Sequence, residues 1–441
     1  MDKNLRAHTE LKKGNAWALL PIAVFLLIYI GVSIIFQDFY LMSVVVAFLC
    51  AILVACLQNR ALSFDGKLSV MAQGVADKNI VTMVLIFLCA GVFAGILGRE
   101  GAQAVADLML SFVPARFSVV VIFVVSCLCS TAMGTSCGTI TVIAPIGAAV
   151  ATATGISPVL FVSSVVGGAM FGDNLSFISD TTIAATSTQG CNMRDKFKEN
   201  FLIALPAAIL TVVILIVIAM TGGEVNAYTP GDINLWLLVP YVLVLIGGVA
   251  GVNVFLVLIG GIVVAGIIKL ALGIGFSAVI AAMGSGAAGM FEVIIVTVLV
   301  SMLSALMRAH GGFDALLYGI KRVFRGRVGG QLGISALVSA MDIATANNTV
   351  AIVMAAPIAK NISEEYGITN TKTASLLDIF GSVVQGLLPY GAQLITATAM
   401  TGVGALEMMP YMFYQYLLAI SAIAFMFIPM KTKKCRNADA A

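Results

Sequence analysis

The chain has 441 residues, of which 60% are hydrophobic and 10% charged, with a net charge of +3. A soluble globular chain is about a quarter charged, so an ordinary soluble domain is excluded, and so small a net charge with no basic cluster interleaved with aromatics excludes a nucleic-acid binder. The two histidines, His8 and His310, and eight cysteines without a CxxC pair argue against zinc chemistry, and the cysteines read as small apolar filler.

In chain order, a polar tail covers residues 1–15. The apolar run 16–36 is long for a signal-peptide core and lacks a small-residue cleavage site, so it reads as the first transmembrane helix. A run of about 20 apolar residues crosses a bilayer. By that measure further full spans fall at 40–57, 79–97 and 200–221, then at 235–250, 253–272, 291–308 and 409–430. Between them lie four longer segments, 117–153 and 157–187, then 328–364 and 371–404, with Gly, Ser, Thr, Asn and Asp at their centres. They are too long for one span and too polar in the middle to face lipid. The expected organisation is a cytoplasmic tail (1–15), a first transmembrane repeat (16–221), an external linker (222–234), a second repeat (235–430) and a cytoplasmic tail (431–441).

The repeat is visible in the residues. Shifted by 212 positions, Ser130–Gly190 lies over Asp342–Gly402 without a gap, and 13 of the 61 pairs are identical. Ala144-Pro145-Ile146 falls on Ala356-Pro357-Ile358, and Gly155-Ile156 on Gly367-Ile368. Interrupted helices at corresponding places in two halves are the best pointer in a sequence to a transporter's binding site.

Charge suggests the topology. If 117–153 and 328–364 are re-entrant hairpins, each half crosses five times, the halves are inverted, and 21 of the 24 Lys and Arg residues lie on the side of both termini. Arg99, Arg116 and Lys269 remain outside. The positive-inside rule makes the first side cytoplasmic. The expected fold class is an all-α polytopic membrane protein of two inverted-topology repeats, each with a re-entrant hairpin and a broken transmembrane helix.

The residues able to carry chemistry sit at those interruptions. Between Gly172 and Thr182, inside an apolar segment, stand Asp173, Asn174, Ser176, Ser179, Asp180, Thr181 and Thr182. A charged carboxylate at a helix centre costs about 2.5–3.5 kcal/mol on insertion scales, a cost tolerated where function requires it. Oxygen-rich side chains and unwound carbonyls suit a hard monovalent cation, so this stretch is the candidate cation site, with Na+ at Asp173 and Asp180. Thr135 and Ser136 form the first hairpin tip, and Asn347, Asn348 and Thr349 the second. Tyr390 and Gln393 belong to the repeat counterpart of Phe177–Thr181; tips and counterpart together are candidates for a substrate. Asp173 pairs with Gln385 and Asp180 with Ala392, so the first half keeps its carboxylates and the second does not. Asp342 and Asp378 are secondary acidic candidates.

The motif Gly172-Asp173-Asn174, Ser176, Ser179-Asp180-Thr181-Thr182 resembles the signature of the NhaC-type sodium/proton antiporters of the ion transporter superfamily. The Asn347-Asn348-Thr349 tip is similar to the Ser-Asn-Thr tips of sodium/dicarboxylate carriers in that superfamily. Where the family has Gly-Asp-Lys and Ser-Pro, this chain has Asn174 and Phe177. The resemblance covers residues 10–430 and implies inverted repeats with paired hairpins. The expected function is a secondary active transporter of the plasma (inner) membrane, a sodium/proton antiporter with a carboxylate cation site. The alternative is a sodium-coupled carrier of a small organic anion or amino acid. Neither a nucleophile–base pair nor a metal cluster stands out, so an enzyme is not expected. No cofactor is expected beyond Na+ and H+ as transported or coupling ions. The expected partners are the lipid bilayer, Na+, H+ and, on the alternative, a small organic solute; a homodimer is compatible with the sequence.

Overall fold

The computed structural model describes residues 13–36, 41–222, 233–250 and 252–428. Most of the expected N-terminal tail and external linker, and all of the C-terminal tail, fall outside the described residues. Among the described residues every regular element is a helix. Among these residues eight helices are long and apolar enough to cross a membrane, or nine if the bent pair Ala405–Tyr411 and Phe413–Phe427 is one span. Helices follow from the composition, because lipid offers backbone N–H and C=O groups no partner and only intrahelical bonds satisfy them.

The first half contains α1 (Leu20–Phe36), α2 (Val44–Leu57), α3 (Phe64–Val75), α4 (Lys78–Phe112), α5 (Ser118–Met133), α6 (Ser136–Thr154), α7 (Pro158–Leu175), α8 (Asp180–Gln189) and α9 (Met193–Thr221). The second contains α10 (Val239–Val249), α11 (Val254–Ala271), α12 (Phe276–Ala288), α13 (Phe291–Ala309), α14 (Gly312–Val323), α15 (Gly326–Thr345), α16 (Asn348–Tyr366), α17 (Asn370–Gln385), α18 (Ala392–Thr401), α19 (Ala405–Met408) and α20 (Phe413–Phe427).

The 212-residue offset, read in the sequence only over 130–190, extends through most of the element order. Adding 212 to 64–75 gives 276–287, against Phe276–Ala288 for α12. The same shift takes 136–154 to 348–366 and 180–189 to 392–401, the bounds of α16 and α18. Helix α4 is broken at Gly98, whose φ is +59°. Its stretch before the break maps onto α13 and its stretch after it onto α14. Helices α3, α12 and α14, and the part of α4 beyond Gly98, were not expected. None contains 20 apolar residues in a row, so the length criterion passed over them.

Both long polar segments of each half are interrupted as expected. Helices α5 and α6 form an antiparallel hairpin around Gly134 and Thr135, and α15 and α16 another around Ala346 and Asn347. Each turn has one left-handed residue, Gly134 with φ +67° and Ala346 with φ +46°. Each second arm starts on a side-chain cap: Thr135 Oγ1 accepts from Gly138 N–H, and Asn347 Oδ1 from Val350 N–H. Such caps satisfy donors that a helix start leaves unpaired. Helices α7 and α8 are separated by residues 176–179, and α17 and α18 by 386–391.

The halves interlock. Helix α3 packs on α13, and its counterpart α12 packs on α4; α8 packs on α16, and its counterpart α18 on α6. The α12–α4 crossing is tight enough to require glycine. A Cβ on Gly286 would lie 2.1 Å from the Gly91 carbonyl oxygen. The exchange brings both hairpin tips and both helix breaks to one place.

Candidate cation site

Helix α7 ends at Leu175, and its last turn carries Asp173, which is 6% exposed. Ser179 Oγ donates to Asp173 Oδ1 at 2.7 Å, and Ser136 Oγ, from the first hairpin tip, donates to Oδ2 at 3.0 Å. The carboxylate therefore joins the helix break to the tip of its own half. Ser136 Oγ also accepts from Gln393 Nε2 at 3.0 Å, and Gln393 Oε1 accepts from Gln385 Nε2 at 2.8 Å. Gln385 Nε2 reaches the Ala346 carbonyl at 3.2 Å as well. A continuous hydrogen-bond chain thus runs from Ser179 through Asp173, Ser136, Gln393 and Gln385 to the second hairpin tip. It passes from one half to the other at Ser136–Gln393.

A cavity of about 310 Å³ opens onto this chain. Thr135, Ser136, Asp173, Ser179, Asp180 and Thr181 line it from the first half. Asn347, Asn348, Thr349, Gln385 and Gln393 line it from the second, and Lys78 is also in its wall. Hydroxyl, amide and carboxylate oxygens dominate the polar lining, the donor set of a hard monovalent cation. A small space beside Met83, Ala346 and Asn347 adjoins this cavity. It shares Ile80, Ser301, Thr345 and Asn347 with a larger cavity of about 400 Å³ whose wall holds Asp77 and Arg308.

The structure divides the seven motif residues. Asp173, Ser179, Asp180 and Thr181 face the cavity. Asp180 is not buried: it is the exposed first residue of α8, where a negative charge suits the positive end of the helix dipole. Ser176 is buried in the break, and its Oγ accepts from Ile178 N–H at 3.3 Å. Asn174 and Thr182 are absent from the cavity wall and belong to a second polar cluster. There the Lys196 ammonium donates to the Asn174 carbonyl at 3.1 Å and to Thr182 Oγ1 at 2.8 Å, and forms an ion pair with Asp378. Asn200 Nδ2 donates to Asn174 Oδ1 at 2.9 Å and to Asp378 Oδ2 at 3.1 Å. Asp378, a secondary candidate in the sequence, is thereby a lysine partner.

Of the remaining sequence candidates, the tip residues Thr135, Ser136, Asn347, Asn348 and Thr349 and the counterpart residue Gln393 all line the cavity. Tyr390 does not. Its hydroxyl donates to the Ile343 carbonyl at 2.7 Å, and its ring packs edge-on against Phe25 and Phe48. Asp342 is fully buried in α15, one turn before the tip.

Sequence reasoning missed Lys196, Asn200, Glu199 and Lys372. Lys196 and Lys372 were counted as cytoplasmic loop charges, yet Lys196 is 1% exposed and Lys372 is buried against Glu199 at 3.4 Å. Their signal was available: 196, 199 and 200 share one helical face, and an acid and a lysine stand six residues apart in α17. The two ion pairs, 196 with 378 and 199 with 372, also show that α9 and α17 run antiparallel where they meet.

The model of the family described as the Na+/H+ antiporter family matches residues 9–220 and 232–429. The Na+/H+ antiporter NhaC of Bacillus subtilis is 24% identical over 92% of this chain and 98% of its own length. The malate-2H+/Na+-lactate antiporter of the same organism is 24% identical over 52% of each chain. Among solved structures, the YdaH transporter of Alcanivorax borkumensis aligns over 83% of this chain and 89% of its own with a TM-score of 0.41 at 14% identity.

Proposed function

The chain belongs to the Na+/H+ antiporter family, and on that premise we propose that this multi-pass secondary transporter exchanges Na+ for H+ by alternating access, with Asp173 as the carboxylate of its cation site. The observation that carries the reading is the position of Asp173. It is the one carboxylate among the described residues that is buried, lines the oxygen-rich cavity, and is bonded to both a helix break and a hairpin tip. Na+ at this site draws on the Asp173 carboxylate, the Ser136, Ser179 and Thr181 hydroxyls, and Asp180 at the rim. A carboxylate in so little water needs a positive charge beside it, and Na+ supplies it.

Two features support alternating access with both termini in the cytoplasm of an inner-membrane protein. The site cavity has Lys78 in its wall and shares lining residues with the spaces beside Asp77 and Arg308, the side that the Lys and Arg distribution assigns to the cytoplasm. The cavity near Met42, Glu292 and Pro389 shares no lining residue with it, and Tyr390, packed on Phe25 and Phe48, lines the small space beside the site cavity. The 212-residue repeat, taken with the charge count, supports two inverted units, 16–221 and 235–430, with residues 118–154 and 326–366 as re-entrant hairpins.

A second reading has its own observation. At about 310 Å³ the cavity exceeds the need of a bare cation, and Lys78 and Gln393 in its wall suit a carboxylate. The lactate–malate antiporter among the relatives fits a sodium-coupled carrier of a small organic anion. A pH-dye assay in everted vesicles, with Na+ titrated at several pH values, separates the two. Sodium-driven proton movement that is lost in Asp173→Asn supports antiport at this site. Normal antiport in that variant refutes the site. No proton movement in the wild type, with sodium-stimulated uptake of an organic acid lost in Asp173→Asn, keeps the site and selects the second reading.

A further inference from the structure

Five acids among the described helical residues lack solvent, and four of them have partners. Asp107 accepts from Gln103 Nε2 at 2.9 Å. Asp173 accepts from two hydroxyls, Asp378 pairs with Lys196, and Glu199 pairs with Lys372. Asp342 has none. It is 0% exposed, and neither of its oxygens meets a hydrogen-bond donor in bonding geometry. The backbone of Gln385 lies beside the carboxyl, and Gln385 Oε1 is likewise buried without a donor. Both Gln385 bonds, to Ala346 and Gln393, are made through Nε2. Apart from the approach of the Gln385 backbone, no described group donates to the two Asp342 oxygens, and Gln385 Oε1 is also left without a donor.

An ionised carboxylate so placed costs several kcal/mol unless it is compensated. The helices packed against α15 carry Glu292 and Arg308 (α13), Asp314 and Tyr318 (α14), Lys360, Glu364, Glu365 and Tyr366 (α16), Lys372 and Asp378 (α17), and Tyr414 and Tyr416 (α20) among the side chains described. None of these acts on Asp342; the one titratable group close enough to sense its charge is the Tyr390 phenol, which is spent on the Ile343 carbonyl. Among the described residues nothing neutralises Asp342, which points to a charge from outside the chain. The group that brings it must also be small, since Asp342 lines none of the described cavities.

We propose that Asp342 is the proton carrier of the exchange, a site separate from the Asp173 cation site and joined to it through Gln385, Gln393 and Ser136. The inference rests on the antiport reading above. The carboxylic acid gives its proton to water on one side and takes one from water on the other, while one Na+ moves the opposite way. The Thr345 hydroxyl, one turn along the same face of α15, lines the cavities leading to Arg308 and supplies the polar link to water. Charge on Asp342 reaches the cation site by reorienting Gln385, whose amide holds both the second tip and Gln393.

The test is Asp342→Asn, a neutral replacement of equal size. In proteoliposomes, radiolabelled Na+/Na+ exchange requires no net proton movement, whereas Na+-driven alkalinisation does. The expected result is that Asp342→Asn retains the first and loses the second, while Asp173→Asn loses both. Wild-type proton movement in Asp342→Asn, or loss of both exchanges, overturns the proposal. A second readout is independent of the transported ion. The infrared difference between wild type and Asp342→Asn at neutral pH should contain the C=O band of a protonated carboxyl. Its absence overturns the proposal, and a carboxylate band that shifts when Na+ replaces K+ overturns it in favour of a second Na+ site. A protonated band in a wild type that shows no Na+/H+ exchange upholds a proton held at Asp342 and sinks the antiport reading instead.

Discussion

The buried Lys196–Asp378 pair gives the sharpest test of how the two halves are held together. Lys196 stands on α9 of the first half and Asp378 on α17 of the second, each 1% exposed. The Lys196→Met variant leaves the Asp378 carboxylate with one donor, Asn200 Nδ2, strips Thr182 Oγ1 of the lysine's bond, and leaves the Asn174 carbonyl with Asn200 Nδ2 at 3.3 Å. Removing one partner of a buried pair costs about 3–5 kcal/mol, because the remaining charge stays buried. Asp378→Asn should cost a similar amount by leaving the ammonium uncompensated. The double variant buries no unpaired charge and loses chiefly the two bonds from Lys196, each about 1 kcal/mol. It should therefore be more stable than either single variant, with a coupling energy of about 4 kcal/mol or more. Denaturant titration of the detergent-solubilised protein, followed by tryptophan fluorescence, provides the four free energies of the cycle. Lys196→Met within about 0.5 kcal/mol of the wild type, or strict additivity in the double variant, would refute the buried-pair account.

Other consequences follow from single contacts. Ser136→Leu should abolish sodium-dependent flux while membrane insertion persists, since it removes the link between Asp173 and Gln393; wild-type flux would reduce the tip to polar packing. Gly286→Ala should destabilise by about 1–3 kcal/mol, because its Cβ would overlap the Gly91 carbonyl oxygen at 2.1 Å and that atom is backbone, which cannot swing aside. Ala346→Gly should stabilise the second tip by up to about 1 kcal/mol, by relieving a left-handed alanine where the first tip already has Gly134; an unchanged or lower melting temperature would count against strain there.

The element order was largely legible because lipid imposes one rule on the whole chain. Apolar runs located α1, α2, α13 and α20, and the paired prolines and glycines located both hairpins and both breaks. The family, too, was readable in Gly172–Thr182. The length rule failed where a helix is short or amphipathic, as in α3, α12 and α14. At the site, the sequence marked which residues are polar but not which way they point. Asn174 and Asp173 are adjacent, so on a helix they diverge by about 100°. One faces the cavity and the other Asn200. The face shared by Lys196, Glu199 and Asn200 marks a polar stripe but not its partner, because the acid that pairs with Lys196 is 182 residues away.

The repeat offers a physical reason why the chemistry is unequal although the scaffold is not. Interlocked halves of matching element lengths, meeting at two tips and two breaks, supply two packings of similar energy, which a carrier needs if it is to open to either side. If the charges were also duplicated, two carboxylates would face one cavity, and their repulsion would have to be met by a second cation in both packings. The chain avoids this by moving the second acid. Gln385 stands where the offset places the partner of Asp173, so the break of the second half contributes an amide. The carboxylate appears instead at Asp342, whose counterpart is Ser130, a hydroxyl that donates to the Ala169 carbonyl. One half thus holds its uncompensated acid at the helix break, in the cavity wall. The other holds it in the hairpin arm, sealed from the cavity. On the proposed reading these are the positions for a Na+ that needs a shell of oxygens and for a proton that needs none.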